Sequence, residues 1–130
     1  MILLFWITVI GGCTDMSQVK RYGMVIGVKE GKIEEYKKLQ ADMGPDGLKM
    51  IREWNMHNYS IYLGELEDGK FYLFSYFEYT GDDFDADLKK MAADRTTQKW
   101  WDVCMPCQQP IEFRGTDEWW MNMEEIFHCE

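Results

Sequence analysis

The sequence predicts a single α+β domain in which one antiparallel sheet carries helices on one face. Short runs of β-branched and aromatic residues alternate with longer amphipathic runs, the pattern of strands and helices in a mixed domain. An Asp-Gly pair between two such runs, at Asp68-Gly69, predicts a β-hairpin and therefore antiparallel pairing. A chain of 130 residues with 46% hydrophobic residues can bury one core but is too short for two domains.

The first elements are predicted to be a strand and a broken helix. Residues 21–29 are apolar, partly β-branched and bounded by charge, which predicts the first strand. From Lys32 onward apolar residues recur at helical spacing, with lysines and glutamates on the opposite side. We expect the segment Gly44-Pro45-Asp46-Gly47 to interrupt this helix, because proline lacks an amide donor, and residues 48–54 to resume it.

A hairpin is predicted next. Residues 57–63 alternate in polarity, which predicts a strand with His57, Tyr59 and Ile61 pointing to one face. After the turn at Asp68-Gly69, residues 71–79 return as an aromatic strand.

A pair of helices and a final strand are predicted to complete the domain. Residues 82–94 are amphipathic with acidic residues at their start, and a second helix carries Trp100-Trp101 and ends near Pro106. A long arm then leads to a last strand over residues 123–128. The βαββαβ order predicts a ferredoxin-like sandwich. Its second sheet face would be covered by another copy of the chain, as in a dimeric α/β barrel, or would enclose a ligand.

Charge and the N-terminal segment limit the partners and the location. A formal net charge of −9 argues against nucleic acid and anionic membrane surfaces. Residues 1–15 begin with an apolar run followed by Gly11-Gly12-Cys13, which is similar to a bacterial lipoprotein signal with lipid on Cys13. No lysine or arginine precedes the run, so the alternative is translation from Met16 and a cytoplasmic protein. We expect a lipid anchor to the cell envelope as the only membrane contact, and a folded domain over residues 16–130.

Two cysteines, Cys104 and Cys107, have C-x-x-C spacing, which is typical of a redox pair or of half a metal site. The sequence holds no second such pair, and its two histidines are scattered. The pattern therefore favours two small, partly buried side chains at a helix end. A disulfide is the alternative if the protein is exported.

The adjacent tryptophans Trp100 and Trp101 suggest a ligand. Neighbouring residues on a helix point about 100° apart, so one apolar stripe does not bury both rings. One indole is then expected in the core and the other in a cleft or an interface. An indole beside hydrogen-bonding side chains suits a sugar, which has an apolar face and a polar rim. The alternative is that both rings are core or dimer contacts.

The chain resembles the L-rhamnose mutarotase family over residues 21–129. The resemblance is carried by five ordered pieces: Arg21-Tyr22-Gly23-Met24-Val25-Ile26-Gly27, Glu34-Glu35-Tyr36, Asn58-Tyr59-Ser60-Ile61-Tyr62, Trp100-Trp101 and Glu124-Glu125-Ile126-Phe127. It implies a ferredoxin-like homodimer without metal or cofactor. It also implies an isomerase that interconverts the α and β anomers of a 6-deoxy-hexose such as L-rhamnose.

The resemblance assigns site residues, and the chain departs from the family pattern at the first of two places. It implies that Tyr36, Tyr59, Trp100 and Trp101 bind the sugar. The family's acid/base histidine, four residues after the tyrosine of the first helix, is replaced here by Gln40. An amide hydrogen-bonds to a sugar but does not shuttle protons near neutral pH.

A second departure lies nearby, because the family usually has Trp-Pro where this chain has Gly44-Pro45. Three alternatives follow. Mutarotation proceeds with another proton donor, for which His57 is the candidate, since it is predicted to share a strand face with Tyr59. In the second alternative the protein binds a deoxy sugar without turnover. In the third it is a structural dimer whose aromatic residues only pack.

Overall fold

The computed structural model describes residues 19–130, which form five strands and four α-helices. The residues before Val19, including the expected leader and Cys13, lie outside the described part. Short 3-10 helices at Glu30–Lys32 and Met105–Cys107 precede the first helix and follow the last one. The elements in chain order are β1 (Lys20–Val28), α1 (Ile33–Ala41), α2 (Gly44–Glu53), β2 (Met56–Glu65), β3 (Phe71–Tyr79), α3 (Phe84–Ala93), α4 (Arg95–Cys104), β4 (Gln108–Gln109) and β5 (Met121–Met123).

The strands form one antiparallel sheet in the order β2-β3-β1-β4, and β5 also pairs with β1. This is the strand order of a ferredoxin-like βαββαβ sheet, so the predicted fold class is confirmed. Strand β1 is central, because it pairs with β3 on one edge and with both short C-terminal strands on the other.

The predicted β2–β3 hairpin is confirmed, and its turn has the expected chemistry. Gly69 has a φ of +72°, a left-handed conformation that glycine adopts without steric cost. The backbone amide of Lys70 donates to Asp68 Oδ1 at 2.9 Å, which closes the turn. Both residues of the Asp-Gly pair therefore stabilise the turn, Asp68 by its hydrogen bond and Gly69 by its backbone conformation.

A β-bulge interrupts β2 at Asn58 and changes which side chains share a face. His57 lies opposite Glu78 and Ser60 lies opposite Tyr76, so β2 contains one extra residue between these pairs. Asn58 has a φ of +48°, and its side-chain amide donates to Glu78 Oε2 at 2.7 Å. The prediction that His57 and Tyr59 share a face is therefore wrong. His57 lies on the outer face of the sheet, and the ring of Tyr59 packs on the inner face.

Helices α3 and α4 begin at capping aspartates, whereas α1 and α2 begin without a side-chain cap. Gly44-Pro45 starts α2 and does not only interrupt the first helix, because proline is tolerated in the first helical turn, where its amide would have no partner. Asp83 and Asp94 cap α3 and α4 by accepting the amides of Ala86 and Thr97. No helix within residues 19–130 is both long and apolar enough to cross a membrane.

The last strand is shorter than predicted. Pairing with β1 is confined to Met121–Met123, and the predicted strand over residues 123–128 is wrong for this chain. Ile126 and Phe127 are 90% and 80% exposed, so they have no sheet to pack against within the described chain. Glu125 is nevertheless held by Arg21, whose guanidinium donates to both carboxylate oxygens at 2.7 and 2.9 Å.

The core lies between the inner face of the sheet and the helices, in two clusters. The first cluster contains Ile26, Val28, Tyr36, Leu73, Cys104 and Cys107. The second cluster contains Met56, Phe77, Tyr79 and Met91. Helix α4 reaches both, because Trp100 packs against the first cluster and Trp101 against the second. The candidate site is the space that these clusters border.

Candidate functional site

A cleft of about 800 Å³ lies between the helices and the inner face of the sheet. A second opening of about 600 Å³ at the β2 edge shares Tyr36, Gln40 and Tyr59 with it, so these side chains are accessible from two directions. Most of the other lining residues are aromatic or methionine side chains, and methionine adapts readily to an irregular ligand surface. They include Tyr22, Met24, Met43, Met50, Met56, Phe77, Phe84, Met91, Met105, Trp119 and Trp120.

Both tryptophans of α4 line the cleft, although each also packs against the core. Trp100 and Trp101 are partly buried, and they contact different core clusters. The expected division into one core ring and one cleft ring is therefore wrong, because each indole packs against a core cluster and also lines the cleft. Two indoles at adjacent positions give the cleft wide apolar surfaces beside polar groups.

Tyr36 of α1 and Tyr59 of β2 place hydroxyl groups in the same cleft. Burial raises the pKa of Tyr36 well above its ordinary value, and the residue is only 5% exposed. Tyr59 is 38% exposed at the open side, yet desolvation of its hydroxyl raises its pKa to about 12. Both side chains are therefore neutral phenols near neutral pH, able to donate a hydrogen bond to a sugar oxygen.

Gln40 lines the cleft one helical turn beyond Tyr36, beside the buried cysteine pair. Its Nε2 lies 3.8 Å from Cys104 Sγ, within range of a weak hydrogen bond to sulfur. Burial raises the pKa of Cys104 to about 12 and also raises that of Cys107. Both thiols are buried, free and protonated near neutral pH, which does not favour thiolate chemistry. The preference for buried thiols at a helix end is thus confirmed.

His57 lies away from the main cleft. Its Nε2 is 3.1 Å from Thr80 Oγ1, and the residue borders only the second opening at the β2 edge. His57 borders this second opening together with Tyr36, Gln40 and Tyr59, but it does not line the main cleft that holds the tryptophans. Its assignment as the substitute proton donor therefore stays a prediction.

Sequence reasoning missed the residues that the C-terminal arm brings to the cleft. Gln108 of β4 is 5% exposed, and its amide contacts both Tyr36 Oη and Trp119 Nε1. Asp117 and Glu118 line the same cleft. The hydrogen bond from Asn122 lowers the pKa of Glu118 and so favours its carboxylate. A second tryptophan pair, at Trp119-Trp120, was the one signal in the sequence that could have indicated this arm.

Metal binding has no preformed site in the part of the chain that the structure describes. No group of three or more histidine, cysteine, aspartate or glutamate side chains between residues 19 and 130 is arranged to hold an ion. The cleft instead combines flat apolar rings with amide, phenol and carboxylate groups. Such a surface can contact a ligand that has both apolar faces and hydrogen-bonding groups.

The fold and the cleft together define a ferredoxin-like α+β protein with a cleft between its sheet and its helices. The family model described as L-rhamnose mutarotase matches residues 21–129, which is nearly the whole chain. The chain belongs to the L-rhamnose mutarotase family, as its sequence motifs indicate.

Two curated relatives, both named L-rhamnose mutarotase, support this membership. The protein of Bacillus subtilis (strain 168) is 33% identical over 88 residues, 68% of this chain and 79% of the relative. The protein of Oceanobacillus iheyensis is 31% identical over 114 residues, 86% of this chain and all of the relative.

Two solved structures agree in fold. An L-rhamnose mutarotase from Formosa agariphila has a TM-score of 0.63 at 19% identity, covering 85% of this chain and 99% of its own. Tetracenomycin F2 cyclase from Streptomyces glaucescens has a TM-score of 0.61 at 12% identity, covering 85% and 97% of the two chains. At these identities the likeness shows the α+β fold alone.

Proposed function

We propose that the cleft binds the pyranose form of L-rhamnose or a related 6-deoxy-hexose and interconverts its α and β anomers. The curated relatives carry the name of this activity. The observation that carries the proposal is the convergence of Tyr36, Tyr59, Trp100 and Trp101 on one cleft. The indoles would cover the apolar face of the ring, and the phenols would donate to its oxygens.

Mutarotation requires two coordinated proton transfers. An acceptor takes the proton of the anomeric hydroxyl while the bond between C1 and the ring oxygen breaks and a donor protonates that oxygen. The open-chain aldehyde then recloses on the other face by the reverse transfers. Tyr36 and Tyr59 are the donors of the cleft, and the carboxylates of Asp117 and Glu118 are acceptors that line it. Gln40 would orient a sugar hydroxyl.

A second function, sugar binding without turnover, is favoured by Gln40 itself. The family position of the acid/base histidine holds an amide, which does not exchange protons near neutral pH. The aromatic part of the cleft does not depend on this residue. In this alternative the protein would be a binding or sensing module for the same class of sugar.

Saturation-transfer NMR with L-rhamnose tests both functions, because it follows magnetisation that passes between the two anomers. We expect exchange faster than in buffer alone. Broadening of the sugar lines without faster exchange would favour the binding module. The absence of both effects would leave only a structural role for the aromatic residues.

A pair of tyrosines on the same strand provides the matched control. Tyr59→Phe removes a hydroxyl from the cleft, whereas Tyr62→Phe removes one from the outer face, where Tyr62 is 64% exposed. We expect the first variant to weaken sugar binding or exchange and the second to behave as wild type. Equal behaviour of the two variants would contradict the assignment of the cleft.

A further inference from the structure

A buried amide links the C-terminal arm to Tyr36. Gln108 is fixed at the sheet by β4, where it pairs with Val28 of β1. Its Oε1 accepts a hydrogen bond from Trp119 Nε1 at 2.7 Å, and its Nε2 donates to Tyr36 Oη at 3.3 Å. The arm is itself anchored just before Trp119, because Arg114 Nε donates to the carbonyl oxygen of Glu118 at 2.6 Å.

Trp119 determines which way the amide of Gln108 points. The two ends of a glutamine amide have nearly the same shape, so their orientation follows from their partners. An indole N–H can only donate, so the end of the amide that it contacts must be the oxygen. The nitrogen of Gln108 then faces Tyr36 and must donate, which leaves the Tyr36 oxygen as the acceptor.

The direction of this hydrogen bond determines where the Tyr36 proton can go. A phenol that accepts from Gln108 keeps its own O–H for another partner. Among residues 19–130, no side-chain or backbone acceptor takes that proton, and Tyr36 lines the cleft from both openings. The O–H of Tyr36 is therefore available to a ligand.

We propose that Gln108 is a positioning residue that makes Tyr36 a hydrogen-bond donor into the cleft, aimed at an oxygen of the bound sugar. Gln108 does not touch the sugar in this proposal; it acts by occupying the acceptor side of the phenol. Trp119 acts on Gln108 and not on Tyr36: its indole N–H holds Oε1 of Gln108 and so prevents a rotation that would exchange the amide oxygen and nitrogen. The identity of the ligand rests on the proposed function, whereas the direction of the hydrogen bond does not.

The variant Gln108→Glu tests the direction when the measurement is made at a pH where its buried carboxyl group is ionised, because a carboxylate can accept from Trp119 but cannot donate to Tyr36. The Tyr36 proton should then turn from the cleft toward residue 108. We expect the ¹³Cζ resonance of Tyr36, assigned with Tyr36→Phe in tyrosine-labelled protein, to move downfield without any sugar present. Gln109→Glu adds the same charge at the neighbouring exposed residue and should leave this resonance in place.

The same variants test the consequence for the sugar. If the donor acts mainly in the transition state, Gln108→Glu should lower the exchange rate of bound L-rhamnose at least about tenfold, with a smaller change in affinity. Gln109→Glu should change neither quantity. A packing role for Gln108 would instead lower stability and leave the rate of the folded protein unchanged.

Trp119→Phe keeps the test decisive if Gln108→Glu does not fold. Without the indole N–H the amide is free to rotate and to accept from Tyr36, so the ¹³Cζ shift should move in the same direction by a smaller amount. An unchanged Tyr36 resonance in every folded variant would overturn the proposal, as would a shift with unchanged binding and exchange. Failure of the proposed function would appear separately, as absent L-rhamnose binding in the wild-type protein.

Discussion

Gln40 is the residue at which the proposed enzyme and the proposed binding module differ, because the resemblance places the family's acid/base histidine at this position. We expect Gln40→His to raise the rate of anomer exchange, since imidazole titrates near neutral pH and serves as acid and base in turn. General acid–base assistance is worth about 10²–10⁴-fold, so saturation-transfer NMR at matched sugar saturation should detect the gain.

Gln40→Ala is the matched variant, because it removes the amide without adding a titratable group. It should weaken L-rhamnose binding more than it changes the rate in the bound state. A Gln40→His protein that binds the sugar tightly without acceleration would mean that the site has diverged beyond this residue. The segment Gly44-Pro45, where the family usually has a tryptophan, would then be the first region to restore.

The residues of the candidate site could be predicted when their chemistry was visible in local sequence. Tyr36 and Gln40 share a helical face because they are four residues apart, and both line the cleft. Gln108 could not be predicted, because its role depends on Trp119, which the fold brings to it from eleven residues away. His57 was misplaced because a single extra residue reverses the faces of a strand.

Strand β4 depends on a close approach to β1 at Gly27. A Cβ added there would lie 2.7 Å from the carbonyl oxygen of Gln109, which is backbone and cannot move aside alone. We expect Gly27→Ala to displace β4 and to lower the free energy of unfolding by about 1–3 kcal/mol, as overpacking generally does. Urea denaturation monitored by circular dichroism measures this change.

Gly31→Ala is the control, because a Cβ at Gly31 meets nothing within 4 Å. This substitution should be neutral or stabilising by up to about 1 kcal/mol, since alanine restricts the unfolded chain. Equal stability of the two variants would show that β4 tolerates the added methyl group. The contact of Gln108 with Tyr36 would then depend less on β1 than the pairing indicates.

Elements with local signals were predicted well, and those that need distant partners were not. The turn at Asp68-Gly69, the acidic start of α3 and strand β3 follow from neighbouring residues, and the structure confirms them. The final strand was predicted too long because periodicity indicates a face but not whether a pairing strand is available. The bulge at Asn58 had only a weak signal, namely that asparagine tolerates positive φ.

Alkaline pH should destabilise the whole domain, because its buried tyrosines resist ionisation. Tyr79 is fully buried, and burial together with its hydrogen bond to Asp87 raises its pKa to about 12. An unfolded tyrosine ionises near pH 10, so the folded state retains the proton that the unfolded state loses. The stabilisation is therefore complete below about pH 10 and is lost as the pH rises toward about 12.

Urea unfolding at about pH 8 and about pH 11 measures this loss. Tyr79→Phe should reduce the difference between the two pH values, although it also removes the bond to Asp87. Tyr62→Phe, which removes an exposed hydroxyl, is the control. If the Tyr79→Phe protein lost as much free energy of unfolding between the two pH values as the wild type, the loss would come from other groups.

At the scale of the whole molecule, we expect two copies to associate through the outer sheet face and the C-terminal segment. Ile126 and Phe127 are 90% and 80% exposed, so their apolar side chains are not covered within the described chain. Sedimentation at micromolar concentration should give a dimer, and the double variant Ile126→Asp and Phe127→Asp should dissociate it. Val103→Asp changes an exposed apolar residue of α4 and should not. A wild-type monomer would contradict the expectation.

The bulge at Asn58 also limits how this family member could have changed by insertion and deletion. In strand β2, Met56 and Tyr59 both face inward although two residues lie between them, where a regular strand would have one, and only the extra residue makes this possible. Loss or gain of a single residue elsewhere in β2 would move the side chains on one side of the change to the opposite face of the sheet. At Asn58 the same change alters only the bulge, and the side chains before and after it keep their faces. Length variation among natural sequences should therefore concentrate at this one position of the strand.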